Sequence, residues 1–291
     1  MESTNFPDTA SRVAYPLPKF TMDELYEPTM VTIKVNDSES EDNHYYERVF
    51  TVQRELISRH SDYFRGAFEG QFAEGLSKTT TITDFHPNTF QTFMDFVFNN
   101  EVSQNGDDPT EWGWEYLFSC YIFGDKYDSR GFRNRVFEVI QTKLLVRRPR
   151  TYHFPPGKDL THLWENTSAT DSLRKLLIDA YITEYDLLSD SEKQLRILES
   201  FPPDLVNQCL IAALRFSSRN ECVHCRRGGD GLPCTSTTHT GLETTDLAKG
   251  RWCQHHQHNS DEEKQICLWR RDALHWKFVE PVEDEGSSHM S

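Results

Sequence analysis

The sequence of 291 residues is short of apolar residues and contains no long apolar run. Hydrophobic residues make up 36% of the chain and the mean hydropathy is -0.68, so some stretches should be tails or loops that bury little surface. No stretch approaches the roughly 18 apolar residues of a membrane span, and MESTNFPDTA lacks the basic start and apolar run of a secretory signal. We therefore expect an intracellular protein, cytoplasmic or nuclear, without membrane association.

Positive charge is also scarce. The chain carries 31 Lys and Arg against 46 Asp and Glu, a formal net charge of -15 that repels the phosphates of nucleic acid. The two basic clusters, at 147–150 and 226–227, are short enough to be solvated faces or helix ends. We therefore do not expect nucleic-acid binding.

Motifs of several enzyme classes are missing. The sequence has no G-x-S-x-G nucleophile elbow, no phosphate-binding loop, no dinucleotide fingerprint and no H-E-x-x-H zinc motif. It therefore predicts no catalytic residue, and we expect a protein that is not an enzyme.

Alternating apolar and polar residues predict strands in the N-terminal half. VTIKV at 31–35 and RVFTV at 48–52 alternate in this way, and the acidic stretch between them is typical of an exposed loop. TTTITDF at 79–85 is a third candidate strand. The first two strands should pair as a hairpin.

Apolar residues at helical spacing predict helices around and after these strands. Ser61 is a candidate cap of one helix, and Pro87 suits the first turn of another. The apolar stripes are Phe64, Ala67, Phe68 and Phe72; Phe90, Phe93, Met94, Val97 and Phe98, predicted to be buried; Leu117, Cys120 and Tyr121; Phe132, Val136, Val139 and Ile140; Leu173, Leu176, Leu177, Ala180 and Tyr181; and Val206, Cys209, Leu210, Ala213 and Leu214, with Cys209 and its neighbours predicted to face the core.

The segments VFTVQRELISRHSDYFRGAFEGQFAEG, ITDFHPNTFQTFMDFVFNNEV and YLFSCYIFGDKYDSRGFRNRVFEVI, in this order, resemble the BTB/POZ domain, particularly its fungal-type form. The resemblance implies an α+β fold. We predict a polar leader at 1–28, a BTB/POZ domain at 29–146, a connector at 147–159, a helical extension at 160–218, a loop-rich Cys/His segment at 219–280 and a tail at 281–291.

The resemblance implies protein–protein interaction, since BTB domains self-associate or present a helical face to a partner. Many are substrate adaptors of cullin-based ubiquitin ligases, and these carry a hydrophobic residue, any residue and then Glu after the second helix. Phe72, Ala73 and Glu74 match this pattern. The alternative is that Phe72 only closes the helix hairpin and that Glu74 is solvated.

Two positions depart from the family pattern. Many relatives carry His at the position of Gln53, and an acidic residue that supports the dimer just before the first strand, where this chain has Thr29. These departures weaken the expectation of a homodimer.

The C-terminal segment contains a cluster of metal-ligand residue types. Cys253, His256, His258 and Cys267 are spaced C-x2-H-x-H-x8-C, and similar Cys, His, His, Cys clusters end many fungal-type relatives. Thiolate and imidazole are the ligands of structural zinc, and four protein ligands leave no position for a reactive water. We therefore expect one structural zinc ion here.

Cys222 and Cys225 form a C-x2-C pair that could hold a second ion or replace two ligands of the first. Two other interpretations stay open. The segment could be a solvated His-rich loop, or it could be the active part of a zinc-finger-type regulator or a metal-dependent enzyme that the BTB domain assembles.

Overall fold

The computed structural model describes residues 28–37, 46–103, 106–145, 154–184 and 196–217, together with 260, 261, 264, 265, 267 and 268. The strands are β1 (Met30–Asp37), β2 (Tyr46–Gln53) and β3 (Thr79–Ile82). The helices are α1 (Arg54–His60), α2 (Asp62–Glu69), α3 (Ala73–Ser77), α4 (Pro87–Asn99), α5 (Trp114–Lys126), α6 (Arg130–Leu145), α7 (Gly157–Asn166), α8 (Ser172–Glu184) and α9 (Pro203–Ser217), with a 3₁₀ turn at Pro109–Glu111.

The three strands form one sheet in the order β2-β1-β3. β1 and β2 are antiparallel, with Ile33 opposite Phe50, which confirms the predicted hairpin. β3 lies parallel to β1 and ends at Ile82, so the third strand is shorter than predicted. Because successive side chains of a strand point to opposite faces, Val31, Ile33 and Val35 are buried on one face.

Phenylalanine rings fill the centre of the core, which α4 crosses. Phe93 is fully buried, and its ring centroid lies 6.1 Å from that of Phe64 on α2, 5.2 Å from that of Phe123 on α5 and 5.4 Å from that of Phe132 on α6. One side chain thus joins four helices. The predicted burial of Phe90, Met94 and Val97 is confirmed as well.

The prediction that Phe98 is buried is wrong, because its side chain is 62% exposed. The buried face of α4 is turned toward Phe96, which is almost completely buried. At 100° per residue, Phe98 then lies more than a quarter turn from the centre of that face. The buried face of α4 is therefore displaced from the apolar stripe, and Phe98 at the edge of that stripe lies outside it.

Two further residues of the apolar stripes lie outside the core. Phe72 continues the helical spacing of Phe64 and Phe68, but α2 ends at Glu69 and Phe72 is exposed. Leu210 is exposed because the buried face of α9 contains Leu205 and Cys209 instead.

The helices α7 to α9 extend the same core beyond α6. The hydroxyl of Tyr121 on α5 donates to both carboxylate oxygens of Asp171, at 3.1 and 3.2 Å, and Asp171 accepts the backbone N–H of Leu173 at 2.7 Å in the first turn of α8. Burial raises the pKa of Asp171, and these hydrogen bonds oppose the shift. None of the helices in the described ranges has the length and apolar character needed to cross a membrane.

Candidate protein-docking site

An exposed apolar surface forms where the chain passes from α2 to β3. Phe72 is 65% exposed and precedes α3 as its N-cap residue, and Leu76 on α3 is 83% exposed. Residues four apart lie about one helical turn from each other on the same side of a helix. Phe72 and Leu76, together with Glu74 between them, are called the α3 surface below.

Two glycines bring α3 close to the end of α2. A Cβ atom at Gly75 would lie 2.5 Å from the carbonyl oxygen of Gly70 and 3.3 Å from that of Ala67, so a side chain there would force the helices apart. A Cβ atom at Gly70 would lie 2.9 Å from Cδ2 of Phe72, which shows that the Phe72 ring rests against this glycine. The contact with Gly70 therefore helps to hold the exposed Phe72 ring in place.

The other end of α3 is attached to the sheet. The chain turns at Lys78, whose φ of 53° is in the left-handed region, and β3 begins at the next residue. The carbonyl oxygen of Lys78 accepts the backbone N–H of Thr32 at 2.8 Å. A helix of only five residues is thus held at both ends by the domain.

Glu74 lies in the first turn of α3 and is half-buried. Among the residues that the structure describes, no ion pair or side-chain hydrogen bond involves its carboxylate. The α3 surface therefore combines two exposed apolar side chains with a carboxylate that can accept hydrogen bonds from a partner.

Sequence reasoning identified Phe72 and Glu74 but missed Leu76 and the two glycines. The α3 helix is too short for apolar periodicity to reveal it. The glycines at 70 and 75 could have indicated that two segments of the backbone approach closely here, because glycine is favoured at such places.

Of the six predicted zinc ligands, only Cys267 lies within the described residues, where its side chain is fully buried. Cys222, Cys225, Cys253, His256 and His258 lie outside them. In the described part of the chain, no three His, Cys, Asp or Glu side chains form a group that could hold a metal ion. The zinc site therefore stays a prediction.

Two other cysteines belong to the core, as predicted. Cys120 and Cys209 are buried, and burial raises the pKa of the Cys120 thiol above its usual range and that of Cys209 to about 12. Both thiols stay protonated near neutral pH, and neither is suited to nucleophilic chemistry.

A known family covers the part of the sequence that forms the sheet and the first six helices. The family model of the BTB/POZ domain matches residues 24–143. The chain contains a BTB/POZ domain. That domain comprises β1 to β3 and α1 to α6, and the α3 surface lies within it. BTB/POZ domains are protein–protein interaction modules, so the α3 surface is a candidate docking site for a protein. No curated protein matches the chain.

Proposed function

We propose that this BTB/POZ protein is a substrate adaptor of a cullin-based ubiquitin ligase and that the cullin binds the α3 surface. The observation that carries the proposal is the 65% exposure of Phe72, two residues before Glu74, in a domain whose other large aromatic residues mostly form its core. The order of these residues matches the hydrophobic-x-Glu pattern of BTB adaptors. The exposure of Phe72 disfavours the alternative in which it only closes the helix hairpin.

Physical arguments support binding at this surface. Burying a phenylalanine side chain contributes about 1.5–3 kcal/mol, and aromatic anchors dominate many protein interfaces. The ring already rests against Gly70, so little side-chain entropy is lost when a partner covers it. Leu76 extends the apolar contact by one helical turn, and Glu74 can accept a hydrogen bond at the same interface.

Affinity purification of the full chain from cells tests this proposal. We expect a cullin to be recovered with the unmodified chain and lost with the Phe72→Ala variant, with a smaller loss for Glu74→Ala. Phe98→Ala is the matched control, since it removes an equally exposed phenylalanine from another part of the domain. Failure to recover a cullin with the unmodified chain, or equal recovery with Phe72→Ala, would rule out this docking site.

We also propose that Cys253, His256, His258 and Cys267 hold a structural zinc ion, with Cys222 and Cys225 as further ligands. Burial of the Cys267 side chain is consistent with a closed four-ligand site, which excludes water from the metal. Zinc would contribute folding free energy to a segment poor in apolar residues.

Metal analysis of the purified chain should therefore find zinc, and the content should fall in Cys253→Ser and Cys267→Ser variants. It should also fall at acidic pH, because the ligands bind zinc in their deprotonated forms. The control is Cys209→Ala, which removes a buried thiol outside the cluster. Equal zinc content in the ligand variants and the unmodified chain would exclude these thiols as ligands.

A further inference from the structure

A polar groove of about 630 Å³ lies beside β2, apart from the residues of the α3 surface. Its lining includes Arg48 from β2, a row of side chains from α4 and Ser103 from the loop that follows. The row on α4 consists of Asn88, Gln91, Asp95 and Asn99.

β2 is an edge strand of the sheet in the described part of the chain. Edge strands present unpaired backbone N–H and C=O groups, which natural proteins often block with proline, bulges or inward charges. The sequence YERVFTVQ has no Pro or Gly, is rich in residues with high strand propensity, and exposes Val49. This edge is therefore suited to pairing with another strand.

The dimensions of the groove match a short extended segment. Asn88 and Asn99 are eleven residues apart on α4, which corresponds to about 16 Å along the helix axis. About five residues of extended chain cover that distance, and their alternate side chains would point toward α4. The amide side chains that line the groove offer both hydrogen-bond donors and acceptors, as a peptide requires.

The charged residues of the groove indicate which kind of side chain the bound segment carries. Among the lining residues that the structure describes, Arg48 is the only cation, and its guanidinium lies 5.4 Å from the ring centroid of Phe50. The Asp95 carboxylate accepts a hydrogen bond from Gln91 at 3.0 Å, and among the described residues it forms no ion pair with Arg48. The Arg48 guanidinium can therefore bind a carboxylate on the ligand. Phe98 is exposed and lies seven residues after Gln91, which places it about two turns further along the same side of α4. It therefore offers an apolar contact beside the groove.

We propose that the β2 edge and this groove bind an extended segment of a partner protein by strand addition. The segment carries an acidic side chain that binds Arg48 and an apolar side chain that contacts Phe98. Backbone pairing with β2 supplies affinity, and the side chains in the groove supply sequence preference. This proposal does not depend on cullin binding, because none of its residues belongs to the α3 surface.

The test begins with selection of displayed random peptides on the full chain. We expect enrichment of peptides that combine residues of high strand propensity with an acidic residue, and slower hydrogen exchange of β2 amides when a selected synthetic peptide binds. Arg48→Ala should weaken that binding about tenfold, as for loss of a charge-assisted hydrogen bond. Phe98→Ala should weaken it as well, whereas Phe72→Ala should not.

Three results would overturn the proposal. The first is that no peptide is enriched. The second is that selected peptides bind the Arg48→Ala variant equally well or protect α3 instead of β2. The third is that β2 amides are already protected in a concentration-dependent dimer of the chain, measured by sedimentation, which would make a second copy the occupant. Circular dichroism of each variant establishes that the fold is retained.

Discussion

Replacing Phe93 with alanine will lower the free energy of unfolding of the full chain by about 3–5 kcal/mol, the range for truncating a buried phenylalanine. The Phe93 ring is fully buried between Phe64, Phe123 and Phe132, which lie on three other helices. Its removal leaves a cavity that the surrounding helices can fill only in part. Urea denaturation followed by circular dichroism measures the change.

The matched control for Phe93→Ala is Phe98→Ala, on the same helix. Phe98 is exposed, so its truncation should change the free energy of unfolding by about 0.5 kcal/mol or less. Both substitutions replace a phenylalanine of α4 with alanine, so they change the composition in the same way. Equal destabilisation by both would contradict the orientation of α4 described above.

Replacing Arg174 with alanine will destabilise the helices α7 to α9 by about 2–5 kcal/mol, because one buried and one partly buried carbonyl group lose a charged donor. Arg174 is almost completely buried, and Nη2 donates to the backbone oxygens of Trp164 and Thr167 at the end of α7. Its Nε donates to the Thr167 hydroxyl at 2.8 Å, and the guanidinium lies 5.0 Å from the Trp164 ring centroid. Nη1 is 3.7 Å from the Asp204 carboxylate on α9, so one side chain connects three helices.

Hydrogen exchange of the α7 and α8 amides reports this local loss of stability, and Lys175→Ala is its control. Lys175 is the exposed neighbour of Arg174, so its removal should leave exchange almost unchanged. Arg174→Lys should be intermediate, since lysine keeps the charge but not the planar set of donors. Unchanged exchange in Arg174→Ala would show that these carbonyl groups do not depend on the arginine.

The strands and the main helices could be predicted because their side-chain periods are local properties of the sequence. The alternation of Val31, Ile33 and Val35 has a period of two, and Phe90, Phe93 and Val97 follow the helical period. The position of β3 beside β1, in contrast, depends on long-range pairing. No local pattern predicts it.

Burial at the edge of an apolar stripe could not be read from the sequence. Phe98 continues the stripe of α4, but the neighbouring elements turn the buried face toward Phe96. Phe72 fits a continued α2, and only the end of that helix at Glu69 makes it an exposed residue. Packing between elements decides the exposure of Phe98, and the end of a helix decides that of Phe72.

The α3 surface could be predicted in part. The spacing of Phe72 and Glu74 is visible in the sequence, and the resemblance to BTB adaptors supplied its meaning. Leu76 could not be assigned to this surface from the sequence, because it lies on the same side as Phe72 only if a short helix forms between them. The convergence of the Cys/His ligands also depends on tertiary structure and stays a prediction.

The central claim is that the α3 surface binds a cullin, and calorimetric titration of the purified full chain with a purified cullin tests it most directly. We predict that Phe72→Ala weakens binding about thirtyfold or more, as for an interface residue that contributes 2 kcal/mol. Phe98→Ala should bind as tightly as the unmodified chain. Equal affinity of the unmodified chain and Phe72→Ala, or no binding by a correctly folded unmodified chain, would contradict the claim.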